Sequence, residues 1–128
     1  MMSKKSDIES KTLEGYSRYL FFSNATIQSV KTGKIIRYQD DGKNGYLKVK
    51  LTRDDGERIH WWLNRLFYTV FYGPIPPKME VDHNDGDRLN NCPTNLTAMT
   101  KYQNNTMKKQ RDSKYLFNRK AKVKRALG

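Results

Sequence analysis

A stretch of 26 residues, 79–104, constrains the fold of this chain more than any other part of its sequence. It begins with a short apolar run that ends in Asp82-His83, passes through a turn-rich loop, and returns to a second apolar run before Thr100. The loop contains Asp-Gly-Asp, which tolerates left-handed backbone angles, and a proline that prevents one continuous helix. Thr100 is a favoured N-cap residue, so a helix is expected to begin there. The stretch predicts a strand, a loop, a strand and a helix, with Asp82, His83 and Asn104 directed at one hollow.

The polar side chains of this stretch suit phosphodiester hydrolysis. Asp82 and the amide oxygen of Asn104 are oxygen donors of the kind that Mg²⁺ and Mn²⁺ prefer. One such cation would offset charge on a phosphate and on the leaving oxygen. An imidazole such as that of His83 is largely unprotonated near neutral pH and accepts a proton from water. Adjacent side chains of a regular strand point to opposite faces, so Asp82 and His83 are expected at a strand end.

These residues resemble the HNH endonucleases, specifically the branch with an H-N-N triad that occurs in phage and intron-encoded homing endonucleases. His83 precedes Asn95 by twelve positions, and Asn104 follows Asn95 by nine, as in that branch. The other matching positions are Asp82, Asp85-Gly86, Asn90-Asn91, Leu96 and Thr100. The resemblance implies a ββα-metal hairpin with His83 as general base and with Asp82 and Asn104 as ligands of one divalent cation, Mg²⁺ or Mn²⁺. It also implies that Asn95 is structural and orders the loop that orients His83.

Two other interpretations fit the stretch less well. An isolated Asp-His pair is most often a surface turn, but here Asn95 and Asn104 stand at the spacing of the triad. A calcium-binding loop that begins at Asp82 would need glycine at its sixth position and a carboxylate at its twelfth. Those positions hold Asp87 and Pro93. The stretch is therefore interpreted as a nuclease site and not as an EF-hand.

The chain is strongly basic, with 25 Lys and Arg against 13 Asp and Glu, a net charge of +12 and a pI near 9.9. This balance predicts a polyanionic partner, and with the resemblance that partner is double-stranded DNA. The single Cys92 excludes an intramolecular disulfide and the zinc-bound HNH variants, which have paired Cys-x-x-Cys motifs. A lone cysteine and the lack of an apolar leader or membrane-length span predict an intracellular protein with no membrane partner. If a phage encodes it, the expected location is the host cytoplasm.

The region before the site has the pattern of a small β module. Residues 1–12 are polar and are expected to form a flexible arm, and residues 13–74 are expected to form the module. Short apolar or β-branched runs alternate there with turn residues, which is typical of antiparallel strands. The expected strands span 18–22, 26–30, 34–38, 46–51 and 57–61. Apolar residues then repeat with a helical period over 62–72, and Gly73-Pro74 ends that helix. The motifs Leu-x-Gly-Tyr and Gly-Tyr-Leu-x-Val resemble the module that often precedes the site in these phage enzymes.

One departure from that module concerns histidine. Where the module usually has Val-His-Arg-Leu ahead of its helix, this chain has Leu63-Asn64-Arg65-Leu66. His83 therefore has a single histidine rival, His60, which lies in an expected strand. His60 is interpreted as a packed or exposed strand residue and not as a catalytic one.

The last part of the chain is the most basic. Residues 75–110 are expected to form the HNH motif, and residues 111–128 a basic tail that continues the last helix. Between 108 and 128 there are nine basic residues and one acid. The candidates for contact with DNA phosphates are Arg88, Lys101, Lys108, Lys109 and Arg111. Such contacts release counterions and weaken with salt, whereas the alternative is a solubilising tail without DNA contacts.

The sequence thus predicts an α+β fold and a metal-dependent HNH endonuclease that nicks or cuts double-stranded DNA. One alternative is a non-catalytic, basic nucleic-acid-binding or packaging accessory protein with the same fold. Another is a toxin-type nuclease with the same site and no sequence preference. Monomer and homodimer both stay open, because no part of the sequence indicates dimerisation.

Overall fold

The computed structural model describes residues 8–40, 42 and 45–104 of the chain. In chain order its elements are β1 (Ser10–Lys11), β2 (Tyr19–Phe22), β3 (Thr26–Ser29), β4 (Gln39–Asp40), β5 (Leu47–Thr52), β6 (Arg58–Trp62), α1 (Leu63–Tyr72), β7 (Met79–His83) and β8 (Leu96–Thr100). A 3₁₀ turn spans Pro93–Asn95, and residues 101–104 are helical. The paired strands are antiparallel. This arrangement confirms the predicted α+β class.

Two small sheets, β1-β2-β3 and β4-β5-β6, form the β module. Alternation along the strands buries one face, as Tyr19 and Phe21 in β2 and Val49 and Leu51 in β5 illustrate. Helix α1 covers the buried side. The largest side chains with almost no solvent exposure come from these sheets and from the helix: Phe21, Phe67, Ile27, Leu51, Leu63, Leu66 and Val49. Apolar burial therefore holds the module and α1 together.

Helix α1 agrees with the prediction for 62–72 to within one residue. It ends at Gly73, whose φ of 105° favours glycine and whose N–H donates to the carbonyl of Thr69. The helix packs against β5 and β6 of the β module and also against β7 and β8. It therefore joins the β module to the hairpin that carries the candidate site.

Two expectations for the β module are wrong. Ser10 and Lys11 do not belong to a flexible arm over 1–12, because they pair with Phe22 and Phe21 of β2. The expected strand at 34–38 is reduced to one isolated bridge, between Gln28 and Ile35. Two backbone bonds, from the Ser29 N–H to the carbonyl of Lys34 and from the Ile36 N–H to the carbonyl of Ile27, hold the segment to β3, and the Tyr38 hydroxyl donates to the carbonyl of Ala25. Burial raises the pKa of Tyr38.

The β7–β8 hairpin agrees with the predicted strand, loop, strand and helix. Met79 pairs with Thr100 at one end, and His83 pairs with Leu96 at the other. Thr100 is an N-cap, as predicted: its hydroxyl accepts from the Gln103 N–H at 3.1 Å, and the Gln103 side chain accepts from the Thr100 N–H at 2.9 Å. This reciprocal pair is a capping box. It fixes the direction in which the chain leaves β8 towards Asn104.

Several predictions fall outside the described residues. They concern the candidate DNA contacts at Lys108, Lys109 and Arg111, the basic tail at 111–128, and residues 105–110 of the HNH motif. Among the described residues, no helix has the length and apolar character that crossing a bilayer requires.

Candidate active site

Strand β7 carries the residues around which the site is built. Side chains alternate along a strand, so Glu80 and Asp82 share one face, and Val81 and His83 share the other. His83 is the last residue of β7, as predicted from the need for adjacent side chains to converge. Asp82 and His83 are buried, with 9% and 4% of their surface exposed. Burial of two adjacent polar side chains is energetically costly, so this strand end is a candidate functional site.

The imidazole of His83 is held by Asn91, a residue with no predicted role. His83 Nε2 lies 2.8 Å from Asn91 Oδ1. The Asn91 amide nitrogen faces the carbonyls of Arg88 and Leu89, at 3.4 and 3.5 Å, and a carbonyl can only accept. The amide oxygen is thereby turned to the imidazole, so Nε2 carries the ring proton in this network. In the neutral ring the proton-accepting lone pair then belongs to Nδ1.

Asn95 cross-links the loop between the two strands. Its amide nitrogen donates to Asp85 Oδ1 at 3.0 Å and to the carbonyl of Asn90 at 2.9 Å. Its amide oxygen accepts from the Asp85 N–H at 3.1 Å. The backbone adds a bond from the Asn84 N–H to the carbonyl of Asn95 at 2.7 Å. These bonds hold both ends of the loop that carries Asn91 to His83.

Asp85 is the charged centre of that loop. The backbone N–H of Asp87 donates to its carboxylate, and the side chains of Asn90 and Asn95 donate as well. These donors, with a smaller contribution from nearby His83, hold the pKa of Asp85 below its ordinary value of 3.8. The carboxylate is therefore ionised at neutral pH and organises three loop donors around one negative charge.

Asn104 reaches β7 from the helical turn after β8. Its amide nitrogen donates to Glu80 Oε1 at 2.6 Å, which places Asn104 on the face that Glu80 shares with Asp82. Its amide oxygen is buried and accepts no hydrogen bond from the described residues. A buried acceptor left unpaired is destabilising, and a hard cation would satisfy it. The donor set of Asp82 and Asn104 thus fits a divalent cation.

The β module contributes Tyr46 to the site. Its ring lies 6.0 Å from the imidazole of His83 and 6.1 Å from the ring of Trp62. The guanidinium of Arg88 lies over the Tyr46 ring, 4.6 Å from its centroid, within the range of a cation–π contact. Tyr46, the residue just before β5, therefore contacts both His83, the candidate general base, and Arg88, a candidate for contact with DNA phosphates.

A pocket of about 310 Å³ opens beside Asn104. Its lining residues come from the β module, α1 and β7: Tyr46, Trp62, Asn64, Arg65, Glu80, Val81 and Asn104. Asn64 donates from α1 to the carbonyl of Val81 at 2.9 Å, which ties the helix to the strand beside Asp82. Arg65 is exposed on the same helix and contributes a cation to the pocket.

The predicted site residues are thus partly brought together. His83 and Asp82 lie at the end of β7, and Asn104 approaches the same strand. Lys101 is exposed on the terminal helical turn, and His60 is exposed on β6. Within the described residues, no group of three or more His, Cys, Asp and Glu side chains is clustered as a metal site. The candidate cation site consists of one carboxylate, Asp82, and one amide, Asn104, so it does not form such a group of three.

Sequence reasoning gave no role to four residues that the structure places in the site: Asn91, Glu80, Tyr46 and Arg65. Asn91 belonged to the matched motif, but nothing local distinguished it from Asn90. Glu80 stands two residues before Asp82, so strand alternation was a usable indication that both share a face. Tyr46 and Arg65 lie in another part of the chain, and no local pattern links them to the hairpin.

Comparison with known proteins agrees with this geometry. Residues 62–106, from α1 through the hairpin, match the family described as HNH endonuclease. The DNA endonuclease I-HmuI of Bacillus phage SP01 is 32% identical over 94 residues, which are 73% of this chain and 53% of that protein. H-N-H endonuclease F-TflI of Escherichia phage T5 is 35% identical over 89 residues, which are 66% of this chain and 44% of that protein.

The fold is also similar to the solved structure of I-HmuI, which concerns DNA binding and cleavage by that homing endonuclease. The TM-score is 0.69 at 30% identity, covering 80% of this chain and 60% of the other. The chain spans about half the length of these two phage relatives. The matched motif, the hairpin geometry and these similarities together establish that the chain contains an HNH endonuclease domain, with homologues among the phage homing endonucleases.

Proposed function

We propose that this protein is a metal-dependent DNA endonuclease of the phage homing type, which acts inside the cell on double-stranded DNA. HNH endonucleases generally use a divalent metal ion, and the oxygen donors here favour Mg²⁺ or Mn²⁺. The observation that carries the proposal is the arrangement at the end of β7. A buried histidine held by an amide lies next to a buried carboxylate, and an amide oxygen without a hydrogen-bond partner among the described residues approaches the same strand.

The proposed general base is Nδ1 of His83. Asn91 keeps the ring proton on Nε2, so Nδ1 accepts a proton from a water molecule placed beside the scissile phosphate. The water oxygen bonds to phosphorus while the bond from phosphorus to the 3′ oxygen breaks. The departing 3′ oxygen takes a proton from a second water molecule of the solvent, which leaves a 3′ hydroxyl and a 5′ phosphate. A divalent cation held by Asp82 and Asn104 would offset charge on the phosphate and on the departing oxygen.

The loop residues serve this base indirectly. The Asn95 side chain donates to the carbonyl of Asn90 and accepts from the Asp85 N–H. These bonds fix the loop from which Asn91 reaches the imidazole of His83. Misplacement of a reacting group by about 1 Å can lower a rate about 100-fold. Asn95 is therefore proposed as a structural residue whose loss is felt at His83.

The proposed DNA contacts are electrostatic. Arg88 lies in the loop between β7 and β8, with its guanidinium over the ring of Tyr46, and Lys101 is exposed on the helical turn beyond β8. Arg65 in the pocket beside Asn104 is a further cation for the phosphate backbone. The basic residues Lys108, Lys109 and Arg111 extend this set in sequence. Binding through such contacts weakens steeply as salt is added.

The test is cleavage of supercoiled plasmid with Mg²⁺ or Mn²⁺, and with EDTA. We expect conversion to nicked or linear DNA that EDTA abolishes. His83→Ala should lower the rate about 100- to 10,000-fold, the usual contribution of a general base. The matched control is His60→Ala, which removes the exposed histidine of β6 and should cleave like the wild type.

Two results would contradict the proposal. Cleavage that survives in His83→Ala would place the base elsewhere. Retardation of the DNA on a gel without cleavage, on plasmid and on DNA from the native source alike, would favour the non-catalytic binding protein. The fragment pattern on a long DNA separates a site-specific enzyme, which yields discrete bands, from a nuclease without sequence preference, which yields a smear.

A further inference from the structure

Glu80 has no part in the proposed chemistry, but its carboxylate contacts Asn104. Glu80 Oε1 accepts from the Asn104 amide nitrogen at 2.6 Å, across 24 positions of the sequence. A hydrogen bond to a carboxylate is shorter and stronger than one between neutral groups. Both residues are only partly exposed and line the same pocket, so water competes less for this bond than it would at an open surface.

The chemistry of the two groups fixes which way the amide faces. A carboxylate has no hydrogen to donate, so only the nitrogen of the Asn104 amide can face Glu80. The oxygen is then turned the other way, where it is buried and has no hydrogen-bond donor among the described residues. With a donor in place of Glu80, the amide would gain by rotating and the oxygen would be used up.

We propose that Glu80 is a positioning residue that holds the Asn104 amide oxygen ready for a divalent cation. This inference rests on the proposed function, since it assigns a role in the same cation site. Glu80 acts through Asn104, on the face of β7 that also carries Asp82. Groups that orient the ligands of a metal commonly change its affinity 10- to 100-fold when they are removed.

The test is Mn²⁺ binding in the absence of DNA, followed by the electron paramagnetic resonance signal of the free ion. Four substitutions are compared with the wild type: Glu80→Ala, Glu80→Gln, Asn104→Ala and the control Glu57→Ala. Glu57 is an exposed carboxylate in the turn between β5 and β6. Thermal melting of each protein shows whether a lost affinity reflects a lost fold.

Glu80→Ala is expected to weaken Mn²⁺ binding about 10- to 100-fold, and Glu57→Ala to leave it unchanged. Glu80→Gln offers the Asn104 amide both an acceptor oxygen and a donor nitrogen, so its loss should be no larger than that of Glu80→Ala. In the Asn104→Ala background, adding Glu80→Ala should have little further effect, because residues that act through one another are not additive.

Two outcomes would overturn the inference: unchanged affinity in Glu80→Ala, and additive losses in the double variant. Additive losses would mean that the charge of Glu80 acts on the cation without Asn104. In both outcomes the wild type still binds Mn²⁺ and the proposed function stands. Failure of the wild type itself to bind Mn²⁺ would instead remove the cation site on which both proposals depend.

Discussion

The β module and the loop between β7 and β8 are held together by different forces. In the module, side chains such as Phe21, Ile27 and Phe67 are fully buried and pack by shape. In the loop, Asn95 and Asp85 form a network of directed hydrogen bonds, and half of the loop residues are exposed. Apolar burial is non-directional and tolerates small adjustments, whereas an amide network specifies the position of each member. The molecule thus uses packing for stability and polar bonds for the geometry of the site.

A cavity in the packed core tests whether stability and site geometry are separate. Phe67 of α1 has no exposed surface and meets the ring of Phe21 edge-on at 6.2 Å. Phe67→Ala should lower the free energy of unfolding by about 3–5 kcal/mol, which is typical of such a deletion. Urea denaturation followed by circular dichroism measures the loss. Cleavage per folded molecule should stay near the wild-type rate, and a large fall in that rate would show that packing and site geometry are not separate.

The converse prediction concerns Asn95. Asn95→Ala removes two donated bonds and one accepted bond from the loop. We expect a loss of stability of up to about 3 kcal/mol, because three bonds of about 1 kcal/mol net each are removed, and a loss of cleavage of about 100-fold through displacement of His83. Plasmid cleavage and urea denaturation are compared in the same variant. The matched control is Thr94→Ala at the exposed neighbouring position, and equal rates in both variants would contradict a structural role for Asn95.

Tyr46 tests whether the two regions communicate. It is the residue before β5 whose ring contacts both His83 and Arg88. Tyr46→Leu should lower cleavage about 2- to 10-fold, in proportion to the 0.5–1.5 kcal/mol of an aromatic contact. Tyr46→Phe keeps the ring and is the control, since it should retain the wild-type rate. A Phe variant as slow as the Leu variant would point to the hydroxyl and not to the ring.

These regions also differ in how far the sequence predicts them. All strands except β1 and β4, the helix over 63–72 and the Thr100 cap follow from periodicity and capping preferences, which act over a few neighbouring residues. The arm over 1–12 was mispredicted because the pairing of Ser10 and Lys11 with β2 depends on a partner strand and not on their own polarity. The same holds for the expected strand at 34–38, which has no partner beyond one bridge.

Within the site too, the sequence predicts the features that depend on neighbouring residues. His83 at a strand end follows from the pattern of β7, and the spacing to Asn104 follows from the motif. The contact of Tyr46 with His83 joins segments 37 positions apart, and no local pattern encodes it. The choice of Asn91 over Asn90 as the partner of His83 depends on the path of the loop, which its hydrogen bonds set only after folding.

The smallest expected effect is a pH dependence that arises in the loop. The folded-state pKa of Asp85 lies below its ordinary value of 3.8, because the Asp87 N–H and the Asn90 and Asn95 amides donate to the ionised form. A lowered pKa contributes stability above pH 3.8 that is lost as the pH falls through the folded-state value. The carboxylate is exposed, so solvent screens these interactions and the contribution is small. Urea midpoints measured from pH 6 down to about pH 2.5 should therefore fall slightly more in the wild type than in Asp85→Asn. Glu57→Gln, which removes an exposed carboxylate outside the loop, should follow the wild type, and identical curves for all three would mean that the loop bonds to Asp85 add nothing to folding.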